Sequence, residues 1–449
     1  MDGFLDHIAG ALGDDEPASF TVTGEGGLPS VFAVTDLAAA TIGAASVEVA
    51  RLIGQACGTV PGVTVDRRQA SFWYDLTFEA LGWEIPGIWD SIAGDYPTRD
   101  GWIRLHTNAP HHRAAAQRVL GDHADRAAMA PAVAQWKAKA LEDAVVAENG
   151  CAAEMRSIEA WTAHPQGMAV NAEPLIHMDW TDGSPDGRDV DPARPLAGLK
   201  VLDCTRVLAG PACGRFLAGF GADVLRVDPP WWEEPLLEPD MTLGKRCTGL
   251  DLTKEADRET FARLLSEADL FVHGYRSDAL ETIGFGFETR RTLNPTLIDV
   301  SLDAYGWSGP WKTRRAFDSL LQMSSGIAHA GMIRRGADKP VPLPVQALDH
   351  ATGYLMAIGA LRGIAERRST GRVLRVRASL ARTAKLVTDN DPEDLDGPLA
   401  PRGVADFWPR PESTGRGPAL RLKPPVAIDG CAMRYDRPAT ALRSSPPTW

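Results

Sequence analysis

Two kinds of residue in this chain have a type and setting suited to chemistry. One is an aspartate at the head of a helix; the other is a set of arginines at strand and loop ends. Asp349 follows an apolar run and opens a helical stretch that begins His350-Ala351-Thr352-Gly353. An aspartate there can cap the helix by accepting backbone N–H groups. It can also act as a carboxylate nucleophile, which divides a difficult acyl transfer into easier covalent steps. Asp36, in Val34-Thr35-Asp36-Leu37-Ala38-Ala39, has the same local setting and reads as a cap or a relic. Arg206, Arg276 and Arg315, with Lys245-Arg246, fall at ends of candidate strands or loops. Each alone reads as a solvated surface charge. Brought to one sheet edge in a chain of net charge −12, they would make a pocket for an anionic ligand. The same net charge argues against a general nucleic-acid binder.

The elements that must position these residues lie mostly in the second half of the 449 residues. Pro195–Pro230 reads as strand, tight loop, helix, strand. Val201-Leu202 suits a strand buried in a parallel sheet, and Ala209-Gly210-Pro211 starts a helix. Phe216, Leu217 and Phe220 give that helix an apolar face, and Val224–Val227 forms the next strand. The loop of this βαβ unit lies where open α/β sheets bind ligands, and it holds no GxGxxG. Further strand candidates are Leu270–His273, Leu297–Ser301 and Val373–Val376. Strands alternating with helices predict a parallel sheet covered on both faces. Residues 1–194 read as mostly helical, 388–422 as an irregular Pro- and Gly-rich linker, and 423–449 as a tail with one strand at Val426–Ile428. The six cysteines show neither CxxC nor zinc-type spacing and read as core thiols of a reduced compartment. The acidic start has no signal-peptide pattern, and no apolar run reads as long enough to span a bilayer.

Pro195–Pro230 resembles the opening of the class III CoA-transferases, the CaiB–BaiF type. The resemblance continues in order through Gly244–Leu252, Ala268–Ser277, Leu293-Asn294-Pro295, Tyr305–Pro310, Ala316–Gly326, Pro344–Gly353 and Ser369–Ser379. Wording similar to that family's small domain stands in front instead, at Tyr96–Ile103 and Trp136–Cys151. The stretches around Asp36 and Asp349 echo each other, each followed by a helix and then a β-rich run. The chain therefore reads as two incomplete copies in a permuted or split-tandem order. Residues 1–194 form a small-domain-like region, the back half of one copy. Residues 195–387 form a CoA-binding large domain, 388–422 a linker, and 423–449 a return segment to the large domain.

The resemblance implies an α/β fold: a Rossmann-like parallel sheet as large domain, with a smaller α+β domain. It implies an acyl-CoA:carboxylate CoA-transferase in which Asp349 attacks the thioester. Arg206, Val207, Leu208, Ala209, Leu250, Leu252, Tyr275, Arg276 and Arg315 would contact coenzyme A, with Leu250 and Leu252 reading equally as core. Trp231-Trp232 would lie beside the CoA arm. The partners implied are an acyl-CoA and a carboxylic acid acceptor, in a cytoplasmic homodimer without metal, membrane or nucleic acid. Two positions depart from the family: Gly274 replaces an asparagine, and no Gly-rich loop is evident beyond the isolated Gly87 and Gly94. An α-methylacyl-CoA racemase-type isomerase is the second expectation. Its histidine would stand at position 317, which is Phe317 here and cannot accept a proton. A catalytically weak CoA-binding scaffold subunit is the third.

Overall fold

The computed structural model describes residues 1–390 and 397–449. Its centre is a seven-stranded sheet. The strand order is Arg246–Gly249, Asp223–Asp228, Lys200–Cys204, Leu270–His273, Ile298–Asp303, Val373–Ser379, His177–Thr181. Neighbouring strands are parallel as far as Val373–Ser379. The expected strands thus form, with ends moved by a few residues, because short Val/Leu-rich runs covered on both faces favour parallel pairing. The order reverses beside Lys200–Cys204: successive strands go one way to Arg246–Gly249, then back to Leu270–His273 on the other side. Chain ends diverge there and leave a crevice at the carboxyl ends of the strands.

The seventh strand, His177–Thr181, comes from the first half of the chain and pairs antiparallel with Val373–Ser379. The N-terminal echo folds in the same way. Val34–Cys57 is a helix, Val63–Asp66 a strand parallel to Thr21–Thr23, and Val426–Ile428 pairs antiparallel with Val63–Asp66. The expected return of Val426–Ile428 to the large domain is therefore corrected. The edge it would have taken is filled by His177–Thr181, whereas Val63–Asp66 has an open edge. The residues after it reach the large domain, with Arg434 N–H on the carbonyl of Gly219 at the end of the Ala209–Gly219 helix (2.9 Å) and Ser445 N–H on the carbonyl of Cys247 in the large sheet (2.7 Å).

The helices Ala347–Ser369 and Val34–Cys57 pack together at the centre, and Ala347–Ser369 also packs on Ala209–Gly219. Both long helices are buried on nearly every side, so neither carries a polar stripe. Val34–Cys57 is in fact long and apolar enough to cross a membrane by length and composition, contrary to the sequence reading; 89% of that window is buried inside the protein. The smaller α+β unit has a three-stranded antiparallel sheet, Gly94–Pro97, Trp102–Leu105 and Ala152–Glu154, with helices Pro110–Leu120, Arg126–Val133 and Ala138–Ala147. Its own core includes Ile92, Tyr96, Ile103, Met129 and Leu141. The stretch 388–422, expected to be irregular, contains a hairpin, Glu412–Thr414 with Gly417–Arg421, paired to Phe78–Ala80. Residues 391–396 of that stretch lie outside the described residues.

Candidate active site

Asp349 is the third residue of its helix, which begins after Gln346 without a side-chain cap. It does not cap its own helix. The Asp349 N–H instead donates to Asp318 Oδ2 at 3.0 Å. Asp318 heads a second helix, Asp318–Ser324, and accepts from Leu348 N–H as well. The Gln322 amide donates to Asp318 Oδ1, and Gln322 Oε1 accepts from Leu343 N–H at 2.7 Å. Asp318 is thus the capping carboxylate, and Asp349 is left free. Asp349 is 7% exposed, and no donor among the described residues is bonded to its carboxylate.

Burial pushes the Asp349 carboxyl well above the usual range, and the negative charge of Asp318 pushes it further. Burial also pushes Asp318 up, to about 6, against the pull of its bonds to Gln322 and to the Asp349 and Leu348 N–H groups. The first charge on the pair belongs on Asp318, which is better solvated by donors. Once ionised, Asp349 is a carboxylate with little to screen it and is correspondingly nucleophilic. Asp36 has the opposite setting: Arg67 Nη2 lies 2.7 Å and the terminal ammonium 3.2 Å from its oxygens.

The loop after Lys200–Cys204 leads into the Ala209–Gly219 helix, which packs against the Asp349 helix. Val207 has φ +66°, a left-handed conformation that is an outlier for a β-branched residue. Such strain costs on the order of 1–3 kcal/mol and persists where the surroundings impose it. Here Glu234 imposes it, accepting from Val207 N–H (2.7 Å), Trp232 Nε1 (2.6 Å) and Arg226 Nη2 (2.8 Å). Arg226 is itself fully buried and bonded to Asp228. The Arg206 guanidinium projects beyond the loop, 5.0 Å from the Trp232 ring centre and 5.6 Å from that of Tyr275. Helix and loop approach closely at Gly353, one turn beyond Asp349, where a Cβ would lie 2.3 Å from the Ala209 carbonyl oxygen.

The smaller unit packs against the Asp318–Ser324 helix. His106, just after Trp102–Leu105, stacks on Phe317 with ring centres 3.9 Å apart and planes at 10°. Its Nδ1 lies 3.5 Å from Ser319 Oγ, and Trp89 meets it edge-on. Burial holds the His106 and His112 imidazoles down at about 3, so both are neutral near pH 7. Neither histidine was among the residues singled out from the sequence. The available signal was the run His106-Thr107-Asn108-Ala109-Pro110-His111-His112 directly after the Asp100-Gly101-Trp102 block.

The remaining expected residues divide. Leu208 and Ala209 are buried at the start of the Ala209–Gly219 helix. Leu250 lies in a core with Leu202, Leu225 and Phe271, and Leu252 packs against it, so their core reading is realised. Tyr275 and Arg276 follow Leu270–His273 at the crevice, with Arg276 3.9 Å from Asp278. Gly274 stands between that strand and Tyr275, where a Cβ would come 3.2 Å from Leu302. Arg315 lies across the cleft, its Nη1 donating to Asn149 Oδ1 at 3.2 Å. Lys245 and Arg246 are not available to an anion: Lys245 is fully buried on Asp203 (2.7 Å), and Arg246 pairs with Asp223 (2.7 Å). Trp232 contacts Arg206, and Trp231 is exposed. Gly94 begins a strand of the smaller unit rather than a glycine loop.

Residues 196–400 match the model of CoA-transferase family III. The acetyl-coenzyme A transferase nodX of Hypoxylon pulicicidum is 34% identical over 194 residues, 42% of this chain and 33% of that protein. The probable fatty acyl-CoA transferase Rv3272 of Mycobacterium tuberculosis is 32% identical over 195 residues, 40% of this chain and 49% of that one. The crystal structure of Rv3272 superposes with a TM-score of 0.41 at 30% identity, covering 44% of this chain and 58% of that chain. The chain spans about half or less of the length of these curated relatives. The βαβ unit, the Asp318 and Asp349 helices and the strands between them all lie within the stretch that is similar to CoA-transferase family III.

Proposed function

We propose that the chain moves CoA from an acyl-CoA to a carboxylic acid, with Asp349 as the nucleophile. The observation that carries this reading is an unpaired, buried Asp349 carboxylate one helical turn from the strained 206–209 loop. In the first step the ionised carboxylate attacks the thioester carbonyl. The C–S bond breaks, leaving an acyl-aspartyl anhydride and CoA thiolate. The thiolate then attacks the aspartyl carbonyl and releases the donor acid, giving an aspartyl-CoA thioester. The acceptor carboxylate attacks this thioester and expels the thiolate again. Attack of the thiolate on the acceptor acyl carbonyl yields the new acyl-CoA and regenerates Asp349. Arg206, Tyr275 and Arg276 would hold the anionic part of CoA, and Val207, Leu208 and Ala209 its arm. As the resemblance implies, two chains would assemble into a homodimer.

Incubation with an acyl-CoA, followed by hydroxylamine or borohydride trapping and mass spectrometry, tests the mechanism. A covalent adduct on Asp349 is expected, and Asp349→Ala should lose both adduct and transfer while still binding CoA. Full activity in Asp349→Ala removes the assignment. Exchange of the α-proton without an adduct indicates an isomerase. CoA binding with neither indicates a scaffold subunit.

A further inference from the structure

The smaller unit contains a buried polar group with no hydrogen-bond partner among the described residues. His112, on the Pro110–Leu120 helix, is 4% exposed, and neither ring nitrogen has a hydrogen-bond partner among the described residues. Its ring centre lies 4.0 Å from that of His111 and 5.7 Å, edge to face, from that of Phe317, the residue before Asp318. Arg315 stands two residues before Phe317, and its charge acts on both imidazoles. Its one described hydrogen bond goes to a neutral group, Asn149 Oδ1, so no carboxylate neutralises it among the described residues. A neutral imidazole offers one N–H donor and one acceptor. Buried polar groups are almost always bonded, so this one lacks a partner that a ligand can provide. An N–H donor beside an unneutralised guanidinium suits a carboxylate. Phe317, His106 and Trp89 form an aromatic cluster beside His112, with His106 and Phe317 stacked face to face, an apolar surrounding that suits a short hydrocarbon.

We propose that His112 and Arg315 bind the distal carboxylate of a dicarboxylic acyl group, so that the enzyme prefers a dicarboxylic acid to the monocarboxylic acid of equal length. This rests on the transferase reading and names its substrate class. It also moves Arg315 from the CoA phosphates, beside Arg206, to the acyl end of the cleft.

The full chain is assayed with one acyl-CoA donor and either succinate or butyrate as acceptor. Wild type should favour succinate in kcat/KM, and the succinate-to-butyrate ratio should fall about tenfold or more in both His112→Phe and Arg315→Gln. A purely structural role would lower both rates and leave the ratio in place. Calorimetric titration of succinate into the CoA-saturated protein provides a second readout independent of turnover; binding should be present in wild type and lost in each variant. Transfer without succinate preference, or a ratio unmoved in both variants, overturns the subsite and leaves the transferase reading standing. Absence of transfer with every donor, alongside succinate binding that depends on His112 and Arg315, overturns the transferase reading and leaves the subsite. Absence of both overturns both. Loss of CoA affinity in Arg315→Gln with succinate binding unchanged returns Arg315 to the CoA pocket and overturns the proposal.

Discussion

Asp349 and Asp318 illustrate how two identical side chains acquire different tasks. Asp318 accepts two backbone N–H groups and a glutamine amide, whereas no donor among the described residues is bonded to the Asp349 carboxylate. Activity that requires ionised Asp349 must therefore rise with pH along a limb above the ordinary carboxylate range. Asp318→Asn retains a carbonyl acceptor for the Asp349 N–H but removes the neighbouring negative charge. That charge raises the Asp349 value, so the limb should move to lower pH in the variant. The measurement is kcat/KM against pH; a limb that stays put or moves upward excludes the coupling. Stability should respond to pH in the opposite sense to activity. A buried Asp318 held at about 6 favours the folded state less as pH rises from about 4 through 6, and the variant loses that dependence.

At the scale of elements, the site depends on how closely one helix can approach one loop. Gly353 lets the Ala347–Ser369 helix rest on the Ala209 carbonyl, at the start of the helix that follows the 206–209 loop. Gly353→Ala forces a contact with rigid backbone and should push the Asp349 helix off the loop. Overpacking of this kind costs about 1–3 kcal/mol. The variant should show a lowered Tm and severalfold weaker CoA binding by calorimetry. Gly10→Ala supplies the contrast. It also lies within a helix, but a Cβ there meets nothing within 4 Å. It should stabilise slightly, by about 0.5–1 kcal/mol, since alanine loses less chain entropy than glycine. Equal effects of the two substitutions would show that close approach at 353 does not matter.

Across the whole molecule, the two halves complete each other. Residues 1–194 give a strand to the large sheet, and residues 195–449 give one back to the sheet around Val63–Asp66. The exchange is sealed by charges. Arg362 binds Asp14 at 2.9 Å and Glu48 at 2.9 Å across the two central helices. Buried Asp240 accepts from Arg215 and from Thr77 of the first half, and Arg421 also bonds Thr77. Removing one half leaves charges uncompensated and apolar faces open, both of which a fold must avoid. Expressed separately, residues 1–194 and 195–449 should be insoluble or inactive, and co-expression should yield a 1:1 complex by size exclusion. A stable, active 195–449 fragment would make the first half dispensable.

The large domain was legible because its signals are local. Buried parallel strands are short apolar runs, and Leu270–His273 needed no partner in view to be recognised. Asp349 was legible as a candidate from its block, whereas its neighbour Asp318 was not singled out. Which of two aspartates caps a helix depends on how two distant helix ends meet. Lys245 and Arg246 misled because a sequence does not reveal that a cation is already matched by Asp203 or Asp223. Val426–Ile428 misled for a similar reason: a three-residue strand pairs with whichever edge is open, and that edge is decided by the strand exchange. The run that holds His106 and His112 could be read from the sequence, but not its contact with Phe317, since more than two hundred positions separate them. The sequence by itself determined the parallel sheet, and it pointed to Asp349 as the candidate nucleophile. Only the tertiary structure decided which charges remain free and which imidazoles face them, because both depend on long-range packing that no local pattern encodes.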